Sequence, residues 1–255
     1  MIIRRTLLGM SIDDCWFDHE AYQASSARFA ILRHHLKYPC DLRIVEHTRL
    51  IDLSPSLDIL YGNLASRARH SITSSDRSFT VARVTSMDEL ELFSGIYTAF
   101  AEKKGLTKPT EEELRNLDIF LARSTVGEIV HGAAFIKAPD RSVYRYRYSV
   151  AVRKSQANAA LVWNAICSAK AKGYAVFDLG GTTNSSDTSF HRIDFFKSQF
   201  GGKNADFYVQ VNGNSLPFKL ALQLGAAVLG RPAFYRKLVR TFSPVLKKGD
   251  THGQR

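Results

Sequence analysis

The sequence predicts an α/β (α+β) protein with a mixed central sheet flanked by helices. Three observations carry this. Apolar residues switch repeatedly between the two-residue period of strands and the 3.6-residue period of helices. A strand–helix–strand run between Val143 and Leu179 reads as a crossover joining two parallel strands. The chain has 255 residues, 45% of them hydrophobic, enough for one sizeable core or a full domain with a smaller partner.

Phe29–Leu32, Leu42–Val45 and Leu50–Leu53 read as short strands. Ser54 then caps a helix with Pro55 at its first position, running towards Arg69, and the serine-rich segment 71–78 reads as a loop. Phe79–Val84 is rich in strand formers. Ser86-Met87-Asp88-Glu89 is a capping box, followed by Phe93, Ile96, Tyr97 and Phe100 at helical spacing and closed by Gly105. A second box, Thr110 to Glu113, opens a helix with the stripe Leu114, Leu117 and Leu121.

Val130–Lys137 and Val143–Val152 are predicted strands joined by the turn Ala138-Pro139-Asp140-Arg141. The second alternates, with Tyr144, Tyr146 and Tyr148 on one face and Arg145 and Arg147 on the other. Ala159, Val162, Trp163, Ile166 and Ala169 make a helical stripe that ends at Gly173. A strand to Leu179, a polar loop from Gly180 to Thr188, a helix over Phe190–Phe200 and a strand over Asp206–Val211 complete this part. From Leu216 to Lys248 the chain reads as amphipathic helices broken near Gly230-Arg231-Pro232. The expected organisation is an N-terminal extension or reduced half (1–75), a main domain (76–213) and a basic helical tail (214–255).

Lys and Arg outnumber Asp and Glu by 35 to 24, a net charge of +11. That excess suits anionic partners such as nucleic acid, anionic lipid or phosphate-bearing substrates. After Gly230, seven basic side chains (Arg231, Arg236, Lys237, Arg240, Lys247, Lys248 and Arg255) face Asp250 alone, with Phe234, Leu238 and Val239 among them. Such a segment suits peripheral contact with an anionic membrane. Three scattered cysteines form no disulfide framework, and no Cys or His pair has zinc-ligand spacing, so no metal is expected. The start lacks a long apolar region and a cleavage site, which makes a cytoplasmic protein the expectation.

One block is more specific. Phe177-Asp178-Leu179-Gly180-Gly181 is followed by a polar loop and then Phe195-Phe196-Lys197-Ser198-Gln199-Phe200-Gly201-Gly202. This resembles the C-terminal signature of FemAB-like peptidoglycan-bridge transferases and their GNAT-like relatives, including the BioF2-like acetyltransferase domain. Leu50–Ser54 with Ser66–Ile72 resembles their short strand and arginine-containing helix. The resemblance spans about residues 48–212 and implies a GNAT-like fold, acyl transfer, and an envelope saccharide or precursor as acceptor. It implies acyl-CoA or aminoacyl-tRNA as the phosphate-bearing co-substrate. Where coenzyme-A-dependent members carry a glycine-containing loop, this chain has Arg153-Lys154-Ser155-Gln156-Ala157, without glycine.

Acyl transfer needs an aligned acceptor, a route for its proton and a stabilised oxyanion. The resemblance places Lys197 near the donor's acyl end, where an ammonium stabilises negative charge, and Phe196 beside the donor. Asp178 ends a strand where the sheet opens and is a candidate base or orienting group. His191 is a third candidate catalytic residue, since its neutral form takes a proton near pH 7. Gly180 and Gly181, with Arg153, Lys154 and Ser155, are candidate donor contacts. Arg145, Tyr146, Arg147, Arg67 and Arg69 are candidate substrate contacts, the arginines for phosphates. The leading reading is a transferase that moves an acetyl or acyl group from acyl-CoA to an amine or hydroxyl; the alternatives are an aminoacyl-tRNA-dependent transferase acting on a peptidoglycan-like precursor and a non-catalytic nucleic-acid-binding module.

Overall fold

The computed structural model describes residues 1–7, 10–76, 78–106, 108–153, 155–182 and 188–229. Its elements in chain order are β1 (Ile2–Leu7), β2 (Met10–Trp16), α1 (His19–Gln23), β3 (Phe29–His34), β4 (Leu42–Asp52), α2 (Leu57–Gly62) and α3 (Ser66–Asp76). There follow β5 (Phe79–Arg83), α4 (Met87–Lys104), α5 (Glu111–Arg115), β6 (Asp118–Ser124), β7 (Ile129–Lys137) and β8 (Val143–Ala151). The last are α6 (Ala157–Ala171), β9 (Val176–Thr182), α7 (Thr188–Ser198), β10 (Lys203–Gly213) and α8 (Leu216–Leu229). The chain divides into two compact units: one holds Met1, Glu46–Phe93 and Leu114–Phe207, the other Ile2–Val45, Ser94–Glu113 and the chain from Tyr208.

The unit built on Glu46–Phe93 and Leu114–Phe207 carries a mixed sheet in the order β4-β9-β8-β7-β6-β5. All neighbours are antiparallel except β8 and β9, the pair expected from the crossover. The connecting α6 buries Ala157, Ala159, Ala160, Leu161, Val162, Ala165, Ile166 and Ala169. Small alanines let this helix lie close to the sheet, and larger strand residues fill the space between. Phe135 stacks on Tyr144 and Tyr146 with ring centroids 5.4 and 5.1 Å apart, and Phe177 joins them. Such offset pairs add to what burial of their area contributes.

The second unit has the strand order β1-β2-β3-β10, with only β2–β3 parallel. Cys15, Tyr22, Ala30 and Leu32 form its small core beside β1. Arg33 is buried there and donates to Asp14 at 2.7 Å while lying over the Trp16 ring.

Several expectations need correction. The helix after the first strands is capped by Ser56, not Ser54, and the chain breaks into α2 and α3. Residues 71–76, expected as loop, continue α3. The second capping box opens only a five-residue helix, and Leu121 lies in β6, a strand the sequence reading did not contain. Its run Ile119-Phe120-Leu121-Ala122 is buried on both faces, so the helical spacing of Leu114, Leu117 and Leu121 was a coincidence of two elements. The alternation in β8 is broken by a bulge. Ala134 pairs with Tyr148 and Phe135 with Tyr146, which leaves Arg147 out of register. Tyr144 and Tyr146 therefore meet the α6 core while Tyr148 does not.

Candidate active site where the parallel strands part

The ladder between β8 and β9 holds three pairs and ends at Arg145 and Asp178. Beyond that point β9 bulges against β4: Leu50 pairs with Asp178 and Thr48 with Gly181, so Leu179 and Gly180 together face Arg49. Gly180 has φ +79°, and a Cβ on it would stand 3.0 Å from the Tyr146 carbonyl oxygen and 3.7 Å from Lys197 Nζ. A side chain there is excluded by both conformation and space.

The bulge brings charged groups together out of water. Asp178 is fully buried. It accepts hydrogen bonds from Thr48 Oγ1, from Arg145 Nη1 and, at 2.7 Å, from the Gly180 backbone N–H. Arg145 also approaches Thr48 Oγ1 at 3.4 Å and lies 3.9 Å above the Phe207 ring centroid. α7 supplies Lys197, which is 7% exposed and donates from Nζ to the Gly181 carbonyl. Burial and the neighbouring Arg145 cation pull its pKa from 10.5 down to about 8, against the smaller pull of Asp178 and Asp194. Arg145, Lys197 and Asp178 thus gather where the parallel pair ends.

Arg145, Asp178, Gly180, Gly181 and Lys197 are therefore one cluster, with Tyr146 contributing its carbonyl. The Tyr146 hydroxyl instead donates to Asn158 at 3.0 Å. Phe196 turns into the core and meets Phe200 edge-on at 5.2 Å. His191 is exposed near the start of α7. Arg153 is exposed and paired with Glu128. The Ser155 hydroxyl is buried with no hydrogen-bond partner among the described residues, and Lys154 lies outside them. Arg147 lies over Tyr148 at 4.7 Å and Arg67 over Phe195 at 5.8 Å. Arg69 satisfies the end of α2, donating to the Gly62 and Leu64 carbonyls at 2.9 and 2.8 Å.

Two members of the site escaped the sequence reading. Thr48 stands two residues before the apolar run that marked a strand, and nothing local distinguishes it. Phe207 reads as an ordinary strand aromatic, and only its place under Arg145 gives it a role. Near the Phe-Gly-Gly end of the motif lies a cavity of about 440 Å³, largely apolar, bordered by Leu50, Asp52, Pro55, Leu60, Phe200 and Lys203.

The α/β fold that these elements build is shared with solved structures. FemX superposes with a TM-score of 0.59 at 11% identity, over 87% of this chain and 86% of that one. The C-terminal DUF2156 domain of a putative lysylphosphatidylglycerol synthetase from Agrobacterium fabrum gives 0.54 at 17%, over 89% and 85%. L-PGS from Bacillus licheniformis gives 0.54 at 16%, over 87% and 83%. No protein-family model matches the sequence, and no curated protein matches it. At these identities the likeness is one of fold. The basic tail after Gly230 lies outside the described residues, and no described helix is long and apolar enough to cross a membrane.

Proposed function

We propose that this chain is an acyltransferase that moves an activated acyl group onto an amine or hydroxyl. The observation that carries the reading is the buried Lys197 ammonium beside Arg145, at the point where β8 and β9 separate. Attack on a carbonyl carbon places negative charge on its oxygen, and a fixed cation in a dry site stabilises that charge without reorganising. With its pKa near 8, Lys197 is mostly protonated at neutral pH. Asp178 already accepts from Thr48, Arg145 and Gly180, so its role is to hold Arg145 in place.

The donor we favour is an aminoacyl ester carried by tRNA. Coenzyme-A-dependent members of the family this chain resembles carry a glycine-containing loop before the helix that α6 corresponds to, and here that start lacks glycine. Its N-cap residue Gln156 accepts a hydrogen bond from Ser74 on α3, and Arg153 is engaged by Glu128. One of the similar structures is a domain of a putative lysylphosphatidylglycerol synthetase, whose name points to a lysyl group as the one transferred. The net charge of +11 suits a nucleic-acid donor. The acceptor is an envelope saccharide or precursor met at the inner face of the membrane, with the apolar cavity beside Phe200 receiving its non-reacting part.

One observation favours acyl-CoA instead: the unpartnered Ser155 hydroxyl at the approach to α6 is a donor that a phosphate oxygen would satisfy. Incubation of the protein and an envelope extract with tRNA bearing labelled amino acids, and separately with labelled acetyl-CoA, decides between them. Label passing from tRNA into the extract supports the favoured reading. Transfer from acetyl-CoA alone replaces the donor, and transfer from neither overturns the assignment as an acyltransferase.

A further inference from the structure

We propose that a second site, at the Asp118 end of the same unit, binds a phosphomonoester dianion. Asp118 begins β6 with its side chain fully buried. Arg83 Nη2 lies 2.5 Å and Lys137 Nζ 3.2 Å from its Oδ1. Lys172 Nζ lies 2.5 Å from Oδ2, and the Tyr144 hydroxyl donates to the same oxygen at 3.0 Å. Those cations hold the carboxyl low, at about 2, against the opposing effect of its burial. Three cations on one carboxylate leave two positive charges without a counter-ion inside the cluster. The three side chains stay 45, 33 and 34% exposed, so the excess faces outward.

A cavity of about 220 Å³ opens beside them. Its charged lining residues are Arg83, Arg115 and Lys137, all cationic, and Thr85 and Ser86 add hydroxyls. On the adjoining helix, Glu89 is committed to Arg123 at 3.1 Å and to the Thr85 N–H at 3.3 Å. That volume leaves room for a phosphate group and the first atoms that carry it. A phosphomonoester brings between about −1.5 and −2 charges and three acceptor oxygens, which matches an excess of two and a forked guanidinium.

Tyr144 and Arg145 are consecutive in β8 and point to opposite faces of the sheet. The Asp118 cluster is thus separate from the Arg145–Asp178–Lys197 cluster, and the proposal does not depend on the acyltransferase reading.

Titration calorimetry of the full chain at low salt, with glycerol 3-phosphate, inorganic phosphate and dimethyl phosphate as probes, tests it. Saturable one-site binding of glycerol 3-phosphate is expected, with the monoanionic diester weaker by about tenfold. Arg83→Gln with Lys137→Gln should weaken binding by at least about tenfold. Arg115→Gln, which leaves the Asp118 bonds intact, should weaken it too and serves if the double variant fails to fold. Lys219→Gln, exposed on α8 and away from this cavity, should bind as the unaltered chain does. Absence of saturable binding, equal affinity in the Arg115→Gln protein, or binding of inorganic phosphate without the ester overturns the site.

Discussion

Arg145 and Asp178 are partners twice over: they face each other as the last pair of the parallel β8–β9 ladder, and their side chains form a buried ion pair. Breaking one half of such a pair strands the other. Asp178→Ala should lower the unfolding free energy by about 3–5 kcal/mol, because Arg145 then keeps its charge in a dry site after losing its Asp178 partner. Denaturant unfolding measures this. A loss under about 1 kcal/mol would mean that water reaches Arg145 and the cluster is not closed.

Lys197 makes a prediction of opposite sense. Its pKa falls from 10.5 to about 8 on folding, so between those values the unfolded chain binds more protons than the folded one. Stability should therefore rise as pH increases from about 8 to 10.5, by about 3 kcal/mol from this group alone. Lys197→Met should lack that rise, and below pH 8 it should be no less stable than the parent. Parallel stability–pH curves for the two proteins would show that Lys197 is solvated.

His131 governs the acid side. Burial lowers its pKa from 6.5 to about 4, and its Nε2 sits 2.9 Å from Ser149 Oγ. The folded state holds the ring neutral, so the stability it contributes is present above pH 6.5 and is lost as pH falls towards 4, about 3 kcal/mol in all. His131→Gln should flatten that part of the curve in equilibrium unfolding measured from pH 7 to 4. A variant curve as steep as the parent's would assign the acid transition to other groups.

The glycines of the two motifs should rank by what a Cβ would meet. At Gly202, with φ +75°, it would lie 2.4 Å from the Leu50 carbonyl oxygen. At Gly180, with φ +79°, the nearest atom stands at 3.0 Å, and at Gly181 at 3.9 Å. Gly202→Ala should destabilise most, Gly180→Ala by about 1–3 kcal/mol, and Gly181→Ala by under about 0.5 kcal/mol. Thermal unfolding of the three variants gives the order, and a Gly181→Ala loss as large as that of Gly202→Ala would contradict the register of the β4–β9 bulge.

Periodicity made the elements around Tyr144 and α6 readable, because one-sided burial leaves a repeat in the chain. β1 and β2 left none. Their residues include Arg4, Arg5, Asp13 and Asp14, and the apolar signal is interrupted by charges whose partners are distant: Asp14 meets Arg33 across a parallel pair. β6 was hidden by the opposite cause, since burial on both faces removes alternation. In the site, Asp178 and Lys197 stood out through a local motif, and Arg145 through the polar face of β8. Thr48 reaches Asp178 from 130 residues away, and no local pattern encodes such a contact. The bulge that gathers these groups depends on pairing with β4, which likewise exists only in the folded chain.

The central claim is that Lys197 stabilises charge that appears only during transfer. The most direct measurement is the single-turnover transfer rate, with saturating charged tRNA, for the parent and Lys197→Met proteins. A drop of at least about tenfold with unchanged donor affinity, ~1.4 kcal/mol in the barrier, is the predicted result. Equal rates would contradict it.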